Sequence, residues 1–115
     1  MPDRTFAVVA ALLGLVAVAA GAFAAHGIGD PRAAGLVETA SRYQMWHALA
    51  MLALCLSPVR AGAALAAFAA GVVLFSGSLY GLAMGAPRPI AWVTPVGGML
   101  LIAGWALAAL ALWRR

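Results

Sequence analysis

The chain has 115 residues, 66% hydrophobic and only 9% charged, with a mean hydropathy of +1.04. A soluble domain of this size carries roughly 25% charged residues, so a handful of arginines and acids cannot clothe a water-facing globule, and the same apolar excess excludes intrinsic disorder. What remains is an integral membrane protein, and its net charge of +4 suits anionic headgroups at helix ends better than a nucleic-acid groove, which needs a contiguous basic stripe.

A crossing helix needs about 20 predominantly apolar residues to cover the ~30 Å hydrocarbon layer. Residues 6–25 supply a first span without a charged or polar side chain. Asp3-Arg4, this stretch and AFAA at 22–25 also resemble a secretory signal, although the apolar run is long for one. Asp30-Pro31 is a helix start, an acceptor side chain followed by proline at the first helical position. That helix is expected to run to Ser57, where Pro58 stops it. Its first part carries Arg32, Glu38 and Arg42, with the acid four residues before Arg42, and reads as an interfacial extension ahead of a second span at 42–57. Residues 62–84 supply a third span, and Gly85-Ala-Pro-Arg-Pro a turn. Thr94-Pro95 repeats the cap-then-proline signal before a fourth span at 95–113. Trp92 and Trp113 are 21 residues apart, about 31 Å on a helix axis, which suits an aromatic belt at each interface. The expectation is therefore one all-α domain over 1–115, an integral membrane four-helix bundle with tight connections. Arg4, Arg60, Arg114 and Arg115 share one side, Arg32, Arg42 and Arg88 the other, so the positive-inside rule places both termini in the cytoplasm. The single cysteine, Cys55, lies in the apolar run MLALCLS and reads as a buried thiol.

Antiparallel connectivity gathers the polar side chains at one membrane face: His26, Tyr43, Gln44, His47, Ser76, Ser78, Tyr80 and Thr94. Counted from Arg42, His47 lies about 7 Å along its span. Polar groups in hydrocarbon must find partners, so the cluster reads either as interhelical glue or as a shallow site in one leaflet for a lipid headgroup, a quinone or another small molecule. His26 and His47 make a poor metal pair without an acid or thiolate, and His26 sits too near a helix end for haem ligation, so neither metal nor cofactor is expected. Gly77 and Gly81 are spaced for close packing of span 3 against another helix of the same chain. The expected partners are membrane lipids, with another membrane protein or a second copy as further options. No enzyme signature appears: the serines lack a base, and Asp3, Asp30 and Glu38 fall outside the hydrocarbon. The expected function is an accessory, structural or small-ligand-binding bundle. The alternatives are a small transporter or channel, although a proton-coupled exporter would need a membrane-embedded carboxylate that span 1 lacks, and a redox-linked subunit, which would use His26, His47 and Tyr80.

GAFAAHG (21–27), ETASRYQMWHALAML (38–52), LFSGSLYGL (74–82), TPVGG (94–98) and GW (104–105) together resemble the small YgdD-type membrane proteins, domain-of-unknown-function family 423. The resemblance covers residues 14–113 and rests most on FSGSLY and on YQ followed two residues later by HA. Ala24 stands where most members carry glycine. The resemblance implies a multi-pass bacterial inner-membrane protein of unknown activity. Its motif positions here are His26, Tyr43, Gln44, His47, Ser76, Gly77, Ser78, Tyr80, Thr94, Pro95, Gly97, Gly98 and Trp105.

Overall fold

The computed structural model describes residues 2–115. They form helix α1 (Pro2–His26), α2 (Pro31–Leu56), α3 (Gly62–Ala83), a short 3₁₀ helix (Arg88–Trp92) and α4 (Val93–Trp113), with no strand among the described residues. Local chemistry sets most of the ends. The Asp30 side chain accepts from the Arg32 amide, with Pro31 as the first helical residue. Ser57 closes α2 with its amide and hydroxyl both on the Leu54 carbonyl, and Pro58 prevents continuation. At the end of α3, Gly85 takes φ +94°, a left-handed conformation glycine adopts without strain. The Gly85 and Ala86 amides then reach the Leu82 and Gly81 carbonyls and satisfy the last turn. The expected cap at Thr94 does not form. The 3₁₀ turn feeds directly into α4, which has no side-chain cap, and Pro95 is tolerated because first-turn amides have no intrahelical acceptor.

Helices α2 and α3 form the middle of the molecule, with α1 packed on α2 and α4 on α3. Three helical segments are long and apolar enough to cross a membrane: Arg4–His26, Gly62–Ala83 and Arg88–Trp113. The expected second span falls in α2, which misses that standard because Arg42, Gln44 and His47 lower its hydropathy. The outer helices expose large apolar side chains, including Leu15, Val18 and Phe23 on α1 and Met99 and Ile102 on α4. A surface of that kind requires lipid rather than water around it.

Small residues set the helix spacing. On α1, Ala10, Ala17 and Ala24 are buried and Gly14 and Gly21 lie between them, giving a stripe at alternating spacings of three and four that α2 packs against. On α4 the buried face is Gly97, Leu101, Gly104 and Ala108. A β-carbon on Gly97 would lie 2.3 Å from the Phe75 amide nitrogen, and one on Gly104 would lie 2.6 Å from the Phe68 ring. The expected close contact through Gly77 and Gly81 is not there. Gly77 is exposed and an added β-carbon would meet nothing within 4 Å, while one on Gly81 would reach only Ala86 of the following turn, at 3.6 Å. Ser76 and Leu79 occupy the inward face of α3 and turn Gly77 away from it; the glycine that meets α4 is Gly71, against Leu101.

Candidate functional site

The buried stripe of α2 runs through Val37, Ala40, Gln44, His47, Ala48, Met51 and Leu54, at helical spacing. Gln44 and His47 therefore occupy core positions, and their polar atoms need partners inside the bundle. Gln44 has them on both sides. Its Oε1 accepts from the Tyr80 hydroxyl of α3 at 2.7 Å, and its Nε2 donates to the Leu13 carbonyl of α1 at 2.7 Å. One amide thus ties three helices. Ser41 donates to the Ala17 carbonyl at 3.0 Å and Ser76 to the Ala40 carbonyl at 2.8 Å. Each of these carbonyls has a second lone pair beyond the one its own helix uses, and the small residues of α1 bring its backbone within reach.

His47 is one turn further along α2 and faces different neighbours. Its Nδ1 lies 2.6 Å from the Tyr43 carbonyl, and its Nε2 lies 3.0 Å from Trp105 Nε1 of α4. An indole nitrogen can only donate, so Nε2 carries the lone pair, Nδ1 carries the proton and the ring is uncharged. The Phe68 ring sits 5.4 Å from the imidazole and 5.1 Å from the Trp105 ring. Every buried side-chain nitrogen and oxygen among the described residues has a partner.

The polar residues expected to cluster at one membrane face divide into separate bridges. Ser78 and Thr94 join α3 to α4 at 2.5 Å, Gln44 joins Tyr80 and α1, and His47 joins Trp105 further along α2 and α4. His47 does not meet the hydroxyls of α3, because the α3 residue opposite it is Phe68. It also lies opposite the interior of α3 and α4 rather than near their ends, deeper in the bundle than a count from Arg42 suggests. His26 is exposed at the end of α1 and takes no part in these bonds. Tyr43 contributes its carbonyl and ring; its hydroxyl has no hydrogen bond among the described residues. Trp105 is the partner that reading polar residues alone overlooks. The available signal was an indole N–H in mid-span, which needs an acceptor.

Between α2 and α4, above a floor made by α3, lies a groove of about 580 Å³ lined by Tyr43, Trp46, His47, Phe75, Leu101 and Trp105. Its rings touch in series: Tyr43 is 4.9 Å from Trp46 and 4.7 Å from Phe75, centroid to centroid. Beyond Trp105 a second apolar hollow of about 310 Å³ continues toward the end of α4, past Leu54, Ala108 and Leu112. No three His, Cys, Asp or Glu side chains gather as a metal site among the described residues.

Residues 20–98 match the family model described as "Protein of unknown function (DUF423)". A UPF0382 membrane protein of Haemophilus influenzae is 44% identical over 102 residues, covering 83% of this chain and 82% of the relative. The UPF0382 inner membrane protein YgdD of Escherichia coli K12 is 42% identical over 115 residues, 93% of this chain and 88% of the relative. A UPF0382 membrane protein of Staphylococcus epidermidis is 36% identical over 115 residues, 94% of each chain. No solved structure matches. Helices built for lipid and relatives named as membrane proteins agree, and the chain belongs to this DUF423 family of membrane proteins of unknown function.

Proposed function

We propose that the chain is a four-span bundle that binds a flat, lipid-soluble carbonyl compound of the quinone class in the groove between α2 and α4. One observation carries this reading. Tyr43 and Trp46 line the groove, and the Tyr43 hydroxyl and the Trp46 indole N–H have no partner among the described residues, whereas Gln44, His47, Ser76, Ser78, Tyr80 and Trp105 are all bonded. Neither donor is buried within the bundle, so both are open to a ligand carbonyl lodged in the groove. The Tyr43, Trp46, Phe75 and Trp105 rings offer faces and edges for a flat ring to stack on. Both imidazole nitrogens of His47 are already used and no carboxylate lines the groove. We therefore read the activity as binding, in an accessory role, rather than catalysis or proton-coupled transport.

The position of α2 supports the reading of four spans. Its 26 residues extend about 39 Å, it lies between α1 and α3, and Gln44 and His47 face inward. The exposed pair Glu38–Arg42 belongs at the interface, where a long arginine side chain reaches the headgroups. The four-to-three arginine count supports both termini on the cytoplasmic side.

Fluorescence quenching by decylubiquinone tests the ligand. Protein carrying Trp92→Phe and Trp113→Phe, so that Trp46 and Trp105 report, is reconstituted in phosphatidylcholine nanodiscs. Quenching is expected to saturate, and Tyr43→Phe is expected to weaken binding by about two- to tenfold, the worth of one hydrogen bond. Quenching that rises linearly with quinone, or is unchanged by Tyr43→Phe, contradicts the assignment.

A further inference from the structure

At the far end of α4 from its 3₁₀ turn, a hollow of about 490 Å³ is walled by Pro58, Val59 and Arg60 of the α2–α3 link and by Ala111, Arg114 and Arg115. All three arginines are exposed, and the ion pair found among the described residues, Arg42 with Glu38, lies toward the other end of α2. This end of the bundle holds Arg4, Arg60, Arg114 and Arg115 against one acid, Asp3, while Asp30 and Glu38 lie toward the opposite end. Guanidinium groups sharing one hollow repel one another unless an anion sits among them, and their planar forks match phosphate oxygens. Exposed Trp113 beside them is the residue type that settles at the membrane–water interface.

The surface changes character one turn inward along α4. Ala108, Ala109 and Leu112, with Leu54 of α2, border the dry hollow of about 310 Å³. A charged mouth followed by an apolar slot on the same helix repeats the order of groups in a phospholipid, phosphate first and hydrocarbon after. Free phosphate would use only the first half. We propose that Arg60, Arg114 and Arg115 bind the phosphate of an anionic phospholipid whose acyl chain lies against Leu54, Ala108 and Leu112. The site is separate from the Tyr43–Trp46 groove and stands whether or not a quinone binds there.

Native mass spectrometry of the detergent-solubilised chain, with dioleoylphosphatidylglycerol and dioleoylphosphatidylcholine in turn, tests the proposal. Phosphatidylglycerol is expected to bind about tenfold more tightly, since each basic residue near an anionic lipid contributes severalfold. Combining Arg60→Gln, Arg114→Gln and Arg115→Gln is expected to remove that preference, with phosphatidylcholine binding unchanged as the sign of an intact bundle. Arg114→Gln alone, on the exposed last turn, is expected to lower the preference by about threefold and covers the case in which the triple variant does not fold. Arg4→Gln is expected to leave it unaltered. Equal binding of the two lipids, a preference that survives the arginine changes, or an equal loss with Arg4→Gln overturns the proposal. Displacement of the lipid by millimolar inorganic phosphate also overturns it, in favour of a free-anion site.

Discussion

Gly97→Ala is expected to separate α4 from α3 and to cost the bundle about 3 kcal/mol or its fold altogether. The added methyl would sit 2.3 Å from the Phe75 amide nitrogen, 2.8 Å from its Cα and 2.9 Å from the Leu74 carbonyl carbon. All three are backbone atoms of a helix, so no rotamer change can make room. Lipid-embedded helices gain little from burying apolar surface, because the lipid is equally apolar, and close packing carries a correspondingly larger share of their association. Gly77→Ala is the control. It points into open space and is expected to be neutral or slightly stabilising, since alanine is the better helix former by about 1 kcal/mol. Unfolding titrations in mixed detergent micelles measure both. Equal stability of the two variants would mean that α4 does not approach α3 at Gly97.

Phe68→Ala is expected to be the most damaging truncation of a large side chain. Phe68 is 0% exposed, its ring rests over Gly104 and it packs against both His47 and Trp105. In water-soluble cores such a truncation costs about 3–5 kcal/mol. Without the water-transfer contribution, about 2–3 kcal/mol of lost packing is expected here. The Trp105 emission is also expected to shift to the red as the space beside the imidazole opens. Phe23, 60% exposed on α1, provides the comparison, and Phe23→Ala is expected to change stability by less than about 0.5 kcal/mol. A Phe68→Ala variant as stable as Phe23→Ala, with unaltered emission, would contradict the packing described.

The elements were readable because breakers speak locally. Asp30-Pro31, Pro58 and Gly85 mark ends that the structure keeps. Thr94-Pro95 misleads for a physical reason: the Thr94 hydroxyl bonds Ser78 across to α3 instead of capping its own helix. The polar residues could be gathered from antiparallel connectivity alone, but their pairing depends on axial register, which no single helix encodes. Hence Gln44 meets Tyr80 as expected of neighbouring helices, while His47 finds an indole rather than a hydroxyl. Glycine spacing was the weakest guide. In a chain rich in alanine and glycine, small residues four apart recur by chance, as at Gly77 and Gly81. The stripes in contact, Ala10-Gly14-Ala17-Gly21-Ala24 and Gly97-Leu101-Gly104-Ala108, are told apart only by the partner's surface.

The crossing of the bilayer by α2 is the claim on which the four-span arrangement and the α2–α4 groove both depend. Thiol accessibility measures it directly, in a Cys55→Ala background carrying either Arg32→Cys at the start of α2 or Arg60→Cys just past its end. With a membrane-impermeant maleimide on intact spheroplasts, Arg32→Cys is expected to label at once. Arg60→Cys is expected to label only after the membrane is opened. Labelling of both positions from the same side would contradict a membrane-spanning α2.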